Sequence, residues 1–322
     1  MLTIYDKTSS GLVRHNETAP IGADTVWFDL LDPTPEEDAS VEKALGISVP
    51  TRAEMREIEA SSRFYQENGA SYMTAYVLNN VEQPMPDGTA MTFIVAGHRL
   101  VTVRYADPKA FPQYIQRIEK GEATCGSGPA ILVGLMETHI ERMADLIERI
   151  QDEVDELAVG VFDIKGRRTK ARRLDVLLKG VGKEGDIVAR VQESASSLDR
   201  VLHFMEHTGR SGSCDQRTLE RIDAAERDVT SLMEHMKFLT NRIQFLLDAA
   251  LGMITTEQNQ IIKLFSVMAV MLMPPTLVAS VYGMNFRHMP ELDWLNGYWM
   301  ALGLMVFSAV IPFIYFKRKG WL

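Results

Sequence analysis

The sequence predicts an α+β domain, followed by a long stalk helix and a two-helix transmembrane hairpin. Three observations carry this reading. Leu264–Phe286 and Trp294–Phe316 are each 23 positions without a charged residue, enough to cross roughly 30 Å of hydrocarbon as an α-helix. Only Arg287 to Asp293 separate them, so the two spans double back with their outer ends on one side. Helical apolar spacing then runs from Leu219 with no proline before Pro274, whereas the first 127 residues mix strand-like and helix-like patterns. The expected division is 1–127 for the α/β domain, 128–260 for the long-helix stalk region and 261–322 for the hairpin.

Composition narrows the function. A formal net charge of −9 over 322 residues argues against nucleic acid as a partner and is compatible with attracting cations. Met1–Gly11 is polar and lacks an apolar run, so no signal peptide is expected there. Cys125 and Cys214 are far apart and read as reduced thiols rather than a bridge. Lys317, Arg318 and Lys319 follow the second span and Lys263 opens the first. The connecting loop sets Arg287 against Glu291 and Asp293. The Lys/Arg excess marks the cytoplasmic side, which predicts a multi-pass protein of the cell inner membrane with both termini cytoplasmic. Trp294, Tyr298 and Trp299 at one end, and Tyr315 and Trp321 at the other, suit interfacial belts.

In chain order, Leu2–Tyr5 and Thr25–Leu31 read as strands. Thr34 is the expected N-cap of a helix with Pro35 at its first position, Glu37 closing a capping box and Gly46 ending it. Thr51 and Glu54 predict a second capping box and a helix through about Ala60. Arg63–Glu67 and Ser71–Leu78 predict a hairpin turning at Asn68-Gly69, and Met91–Ala96 with Arg99–Tyr105 another at Gly97-His98. Lys109–Lys120 reads as a helix. From Pro129 a helical pattern places Ile131, Leu135, Met143, Ile147, Ile150, Val154, Leu157 and Val161 on one face, with Glu137, Glu141, Asp145, Glu148, Asp152, Glu153, Asp155 and Glu156 filling much of the rest. Those acids read either as a solvated face or as a cation-collecting belt. Gly166 predicts a turn, Arg168–Glu206 a second helix, and His207–Arg217 a linker. A single helix from about Thr218 to Tyr282 would be on the order of 95 Å long and needs neighbouring copies to be stable.

Tyr282-Gly283-Met284-Asn285-Phe286, followed by Met289-Pro290-Glu291-Leu292, closes the first of the two spans. In this context it resembles the signature of the CorA family of magnesium channels. The basic end Lys317-Arg318-Lys319-Gly320-Trp321-Leu322 is similar to that family's too, and Trp27-Phe28-Asp29-Leu30-Leu31-Asp32-Pro33 resembles a stretch of its N-terminal α/β sheet domain. The resemblance implies a CorA-like homopentamer in the lipid bilayer around the stalk helix, a channel for divalent metal cations that moves Mg2+, with Co2+ or Ni2+ as further substrates. It implies no resident cofactor, Mg2+ being both substrate and gating ligand. The family's regulatory ions sit between one subunit's α/β domain and its neighbour's stalk, which makes Asp223 the stalk candidate here.

The stalk carries a seam of its own. Back from Thr276 at steps of 3 and 4 it reads Met273, Ala269, Ser266 or Phe265, Ile262, Asn259, Thr255, Gly252 and Asp248. Polar groups at both ends suit contact with a hydrated ion, and an apolar middle suits gating by dewetting. The family resemblance places pore-lining positions at Thr276, Met273, Phe265, Ile262, Asn259 and Asp248, and the selectivity filter at Gly283, Met284 and Asn285. Mg2+ gives up its octahedral waters reluctantly; a ring of Asn285 amide oxygens accepts hydrogen bonds from those waters without stripping them. Gly283 is expected to allow backbone geometry that a side chain would block. Met284 reads as packing, since a thioether suits Mg2+ poorly. Glu291 is the expected outer-loop cation collector, and Arg287 departs from the family's usual acidic or neutral residue.

Two rivals stand beside this reading. A zinc transporter of the related ZntB branch shares the architecture. His203-Phe204-Met205-Glu206-His207 matches the inverted zinc-peptidase pattern H-x-x-E-H, which would imply a membrane-anchored metallopeptidase. Gly180-Val181-Gly182-Lys183-Glu184-Gly185 matches G-x-G-x-x-G, but no strand precedes it, so a dinucleotide site is not expected.

Overall fold

A computed structural model describes residues 1–8, 11–16, 21–57, 59–162, 170–285, 289–290 and 294–321. The chain divides into two compact units: a head of Met1–Arg167 with Asp175–Leu246, and a tail of Arg168–Leu174 with Leu247–Leu322.

The head is built on a seven-stranded sheet. Its strands are β1 (Leu2–Thr8), β2 (Gly11–Asn16) and β3 (Thr25–Leu31), then, after helix α1 (Pro35–Leu45) and the short α2 (Ala60–Arg63), β4 (Phe64–Glu67), β5 (Ala70–Asn79), β6 (Asp87–Ala96) and β7 (Arg99–Arg104). The spatial order is β2-β1-β3-β7-β6-β5-β4. Only β3 and β7 pair in parallel, with Phe28 opposite Val101. Every residue of β3 from Thr25 to Leu30 is buried, because both faces of the sheet are covered. Phe28 and Leu30 point into a cluster with Val41, Ile47, Val49 and Met55. Trp27 and Asp29, one step out of phase, point the other way, where Trp27 meets Phe111 of α3 (Ala110–Glu119) at 6.1 Å between ring centroids.

Sequence and structure agree closely in this region. Thr34 accepts from the Glu37 N–H, and the Glu37 carboxylate accepts from the Thr34 N–H at 2.8 Å, completing the capping box. Asn68 (φ 50°) and Gly69 (φ 79°) occupy the left-handed region that a two-residue hairpin turn needs. The Thr51–Glu54 box also forms, but the expected helix does not: only a 3-10 turn, Glu54–Arg56, follows. Glu57 is extended and its carbonyl accepts from Arg63 Nε at 2.6 Å. A continuing helix would have used that carbonyl internally. Strand β2 was not foreseen.

The helical half comprises α4 (Gly128–Phe162), α5 (Lys170–Thr208) and α6 (Gln216–Tyr282). The predicted apolar faces are the buried ones; Ile131, Ile150, Val191, Leu198, Val229 and Leu239 are essentially inaccessible. The Gly166 turn lies outside the described residues. The expected linker is a tight turn at Gly209–Ser213, where Gly212 has φ 107°. The G-x-G-x-x-G stretch lies wholly inside α5, as expected for a chance match. Cys125 and Cys214 are free and half-buried.

In the tail, α6 continues to Tyr282 with Pro274 and Pro275 inside it, and α7 (Gly297–Arg318) supplies the second apolar helix. Both are long and apolar enough to cross a membrane, and only 6% of each apolar window is covered by protein. A helix of a soluble core would be mostly covered. Lys263, at the start of the first span, lies 5.7 Å from the Trp321 ring just past the second, so the outer ends of the two helices meet as a hairpin requires.

Candidate ion path

On α6, Val267, Met271, Pro274, Val278 and Tyr282 form a covered or half-covered stripe. At about 100° per residue, the seam through Ile262, Phe265, Met273 and Thr276 falls on the opposite side. All four are exposed, Met273 at 70% and Phe265 at 63%; Asn259 and Asp248 lower on the helix are exposed as well. The structure thus places the predicted seam on one uncovered face.

Thr276 has a specific polarity. Its hydroxyl donates to the Leu272 carbonyl at 2.7 Å, so its lone pairs face outward as acceptors. Thr255 does the same with Leu251 at 2.9 Å. The bound waters of a cation present hydrogens outward, and an acceptor-only surface matches them. Pro274 and Pro275 lack N–H groups, which leaves the carbonyls of Val270 and Met271 without their helical donors.

Helix α6 ends at the motif. Gly283 N–H bonds Ala279 O at 2.9 Å, and Met284 N–H reaches Val281 O at 3.3 Å. Asn285 is the third residue beyond the helix and is exposed. At Gly283 the constraint on a side chain is steric. Its φ lies outside the left-handed region, and a Cβ there would sit 3.0 Å from the Ala279 carbonyl oxygen. The constraint is close approach to the last helical turn rather than an unusual backbone angle. Met284 is 50% exposed in the single chain. Phe286, Arg287 and Glu291 lie outside the described residues.

Half of the acids on the α4 face are tied into ion pairs within the head. Glu137 takes a bidentate pair from Arg221 at 2.6 and 2.9 Å, Glu141 pairs with Arg117 at 2.9 Å, Glu153 with Lys183 at 3.0 Å, and Asp155 with Arg242. These four favour the solvated, salt-bridged reading of that face. Asp223 is half-buried on α6 and lines a surface hollow with His203, Glu206, Arg210, Glu226 and Arg227. Of the H-x-x-E-H residues, His203 and Glu206 converge with Glu226, and His207 is not in that group. The two-histidine set that the peptidase pattern requires is therefore not assembled.

A helix-rich α/β head whose 67-residue helix α6 ends as the first of two apolar C-terminal spans, with an uncovered seam leading to Gly-Met-Asn, defines a membrane protein of the ion-transporter class. The comparisons give the family. The model of the CorA-like Mg2+ transporter protein family matches residues 22–318. A protein named magnesium transport protein CorA from Pasteurella multocida is 35% identical over 323 residues, covering 100% of both chains. This chain belongs to the CorA-like Mg2+ transporter family. Among solved structures, the complete CorA magnesium transporter from Methanocaldococcus jannaschii shares the fold, with TM-score 0.78 at 18% identity over 100% of this chain and 99% of that one. The ZntB cytoplasmic domain from Vibrio parahaemolyticus matches with TM-score 0.53 at 14% identity, over 78% of this chain and 96% of that one.

Proposed function

We propose that the chain assembles as a homopentamer in the cell inner membrane and conducts Mg2+ inward through a pore lined by the α6 seam. The observation that carries the proposal is full-length similarity, at 35% identity, to proteins named for magnesium transport. That likeness also favours Mg2+ over the zinc reading, whose solved relative resembles this chain in fold only. Residues 1–127 and 128–260 form the cytoplasmic part, and 261–322 the membrane part with both termini inside.

In this reading Asn285 rings the outer mouth and accepts hydrogen bonds from the hydrated ion, Gly283 and Met284 hold it there, and Glu291 collects cations outside. Thr276 supplies a second acceptor ring. Met273, Phe265 and Ile262 form the narrow apolar stretch, which conducts when wet and closes when dry. Asn259 and Asp248 receive the ion at the inner end. The membrane potential is the driving force, worth about 4.6 kcal/mol per 100 mV for two charges. Mg2+ acts also as gating ligand: internal Mg2+ bridges acidic groups between subunits, with Asp223 on the stalk side, and holds the ring closed. No resident cofactor takes part. The exposed apolar residues Phe238, Phe245, Ile261, Ile262 and Phe265 of α6 support burial against further copies.

The test is uptake into proteoliposomes compared for Mg2+, Co2+, Ni2+ and Zn2+. Mg2+ is expected to enter fastest; uptake of Zn2+ alone would transfer the chain to the zinc reading.

A further inference from the structure

Helices α5 and α6 run back to back around the Gly209–Ser213 turn. His203 precedes that turn on α5 and Glu226 follows it on α6, and the packing of the two helices brings them face to face. His203 Nδ1 is 2.9 Å from Glu226 Oε1. Glu206, three residues after His203, shares its face of α5. One donor atom from each of the three falls within 4.8 Å of the other two. An octahedral ion with bonds of about 2.1 Å has neighbouring donors about 3.0 Å apart, so the His203–Glu226 edge is already at coordination length, and a rotamer adjustment of Glu206 closes the set.

Two further features point to a cation. Glu226 Oε1 is buried and has no hydrogen-bond partner beyond His203. A carboxylate oxygen held against an imidazole nitrogen repels its lone pair unless a proton or a metal ion lies between them. On the other side of the ring, His203 Nε2 faces Asp199 Oδ2 at 3.9 Å, one helical turn earlier. That distance is beyond hydrogen-bond length, and a rotamer change of Asp199 would bring it to where a carboxylate accepts from the second nitrogen of a metal-binding imidazole. Arg210 pairs with Glu206 and competes for it.

We propose that His203, Glu206 and Glu226 form a binding site for a borderline transition-metal dication of the Zn2+, Ni2+ or Co2+ class, clipping α5 to the stalk helix. An imidazole among the donors selects such ions over Mg2+, which prefers oxygen alone. The site lies within the head, uses neither the seam nor Asn285, and does not depend on which ion the chain carries.

The experiment uses the full chain, purified in detergent, stripped with chelator and titrated with Zn2+ by calorimetry in millimolar Mg2+. One Mg2+-resistant Zn2+ per chain is expected, with imidazole scattering in its X-ray absorption spectrum. His203→Ala should weaken that binding at least about tenfold, Glu226→Gln similarly, and Arg210→Ala should strengthen it; His207→Ala should leave it unchanged. His203 is exposed, so its removal leaves the fold intact, and Glu226→Gln provides a near-isosteric second variant. Absence of Mg2+-resistant Zn2+ binding in the wild type would overturn the proposal. So would unchanged affinity in both His203→Ala and Glu226→Gln, or a loss in His207→Ala as large as in His203→Ala.

Discussion

His139 shows what burial does to a single residue of the head. Its ring packs edge-on against Phe111 at 6.0 Å, and its side chain is 5% exposed. Desolvation first, and then the charges of Arg142 and Arg104, push its pKa down from 6.5 to about 3. The folded protein therefore holds the neutral ring while the unfolded chain takes up a proton below its ordinary value. Stability contributed by this site is full above pH 6.5 and is lost as pH falls toward 3. Thermal unfolding from pH 7 down to pH 4 should show a falling midpoint, and His139→Leu should flatten that slope; an equally steep slope in the variant would remove His139 as the cause. At the same scale, Asn285 was legible from its motif and from its place at the end of an uncharged span. Glu226 was not, because its partners are 20 or more positions away and only the α5–α6 turn brings them together. The polarity of Thr276 was hidden too: the residue type marks a hydroxyl, and only the helix fixes where its proton goes.

Among the elements, the core of the sheet turns on one ion pair. Asp29 on β3 takes Nε and Nη2 of Arg104 on β7 at 2.8 Å each and accepts from Thr102 at 2.7 Å; both charged side chains are under 10% exposed. Removing Asp29 takes away two of Arg104's hydrogen bonds in the core and leaves it the exposed Asp107 as its charged partner. Asp29→Ala should cost about 3–5 kcal/mol, read as a lowered unfolding midpoint of the head; a loss under 1 kcal/mol would contradict it. The α4–α5 contact holds a different device. Glu184 is 2% exposed, bonds Lys183 at 3.0 Å through Oε1, and leaves Oε2 without a hydrogen-bond partner. Burial, reinforced by Glu153, raises its carboxyl from 4.5 to about 7. The sign is opposite to that of His139: stability is lost as pH rises from 4.5 through 7, where the folded state must charge a buried group. Glu184→Gln should raise the midpoint at pH 8 and change it little at pH 5; no gain at pH 8 would refute the assignment. Element by element, periodicity identified α4, α5 and α6 because their apolar faces are long. It missed β2, an edge strand bordered by residues with mixed signals. The Thr51 box misled because a cap satisfies the first turn of a helix without supplying the turns that follow.

For the molecule as a whole, the seam on α6 is uncovered in one chain, and large apolar side chains such as Met273 and Phe265 stand exposed along it. A single copy cannot enclose a path. Mass measurement of the detergent-solubilised protein should return five copies; a stable monomer or dimer would contradict the closed pore. The proposed gating belongs to the same scale: if internal Mg2+ closes the channel through Asp223, Asp223→Lys should weaken that inhibition or hold the channel closed without the ion, and an unchanged response across an internal Mg2+ titration would exclude Asp223 as the sensor. The most direct measurement is Mg2+ uptake into proteoliposomes under an imposed inside-negative potential, for the wild type and Asn285→Ala side by side. Uptake should rise with the potential in the wild type and disappear in Asn285→Ala while its assembly stays intact. Wild-type Mg2+ flux in the variant, or wild-type uptake indifferent to potential, would contradict a potential-driven channel filtered at Asn285.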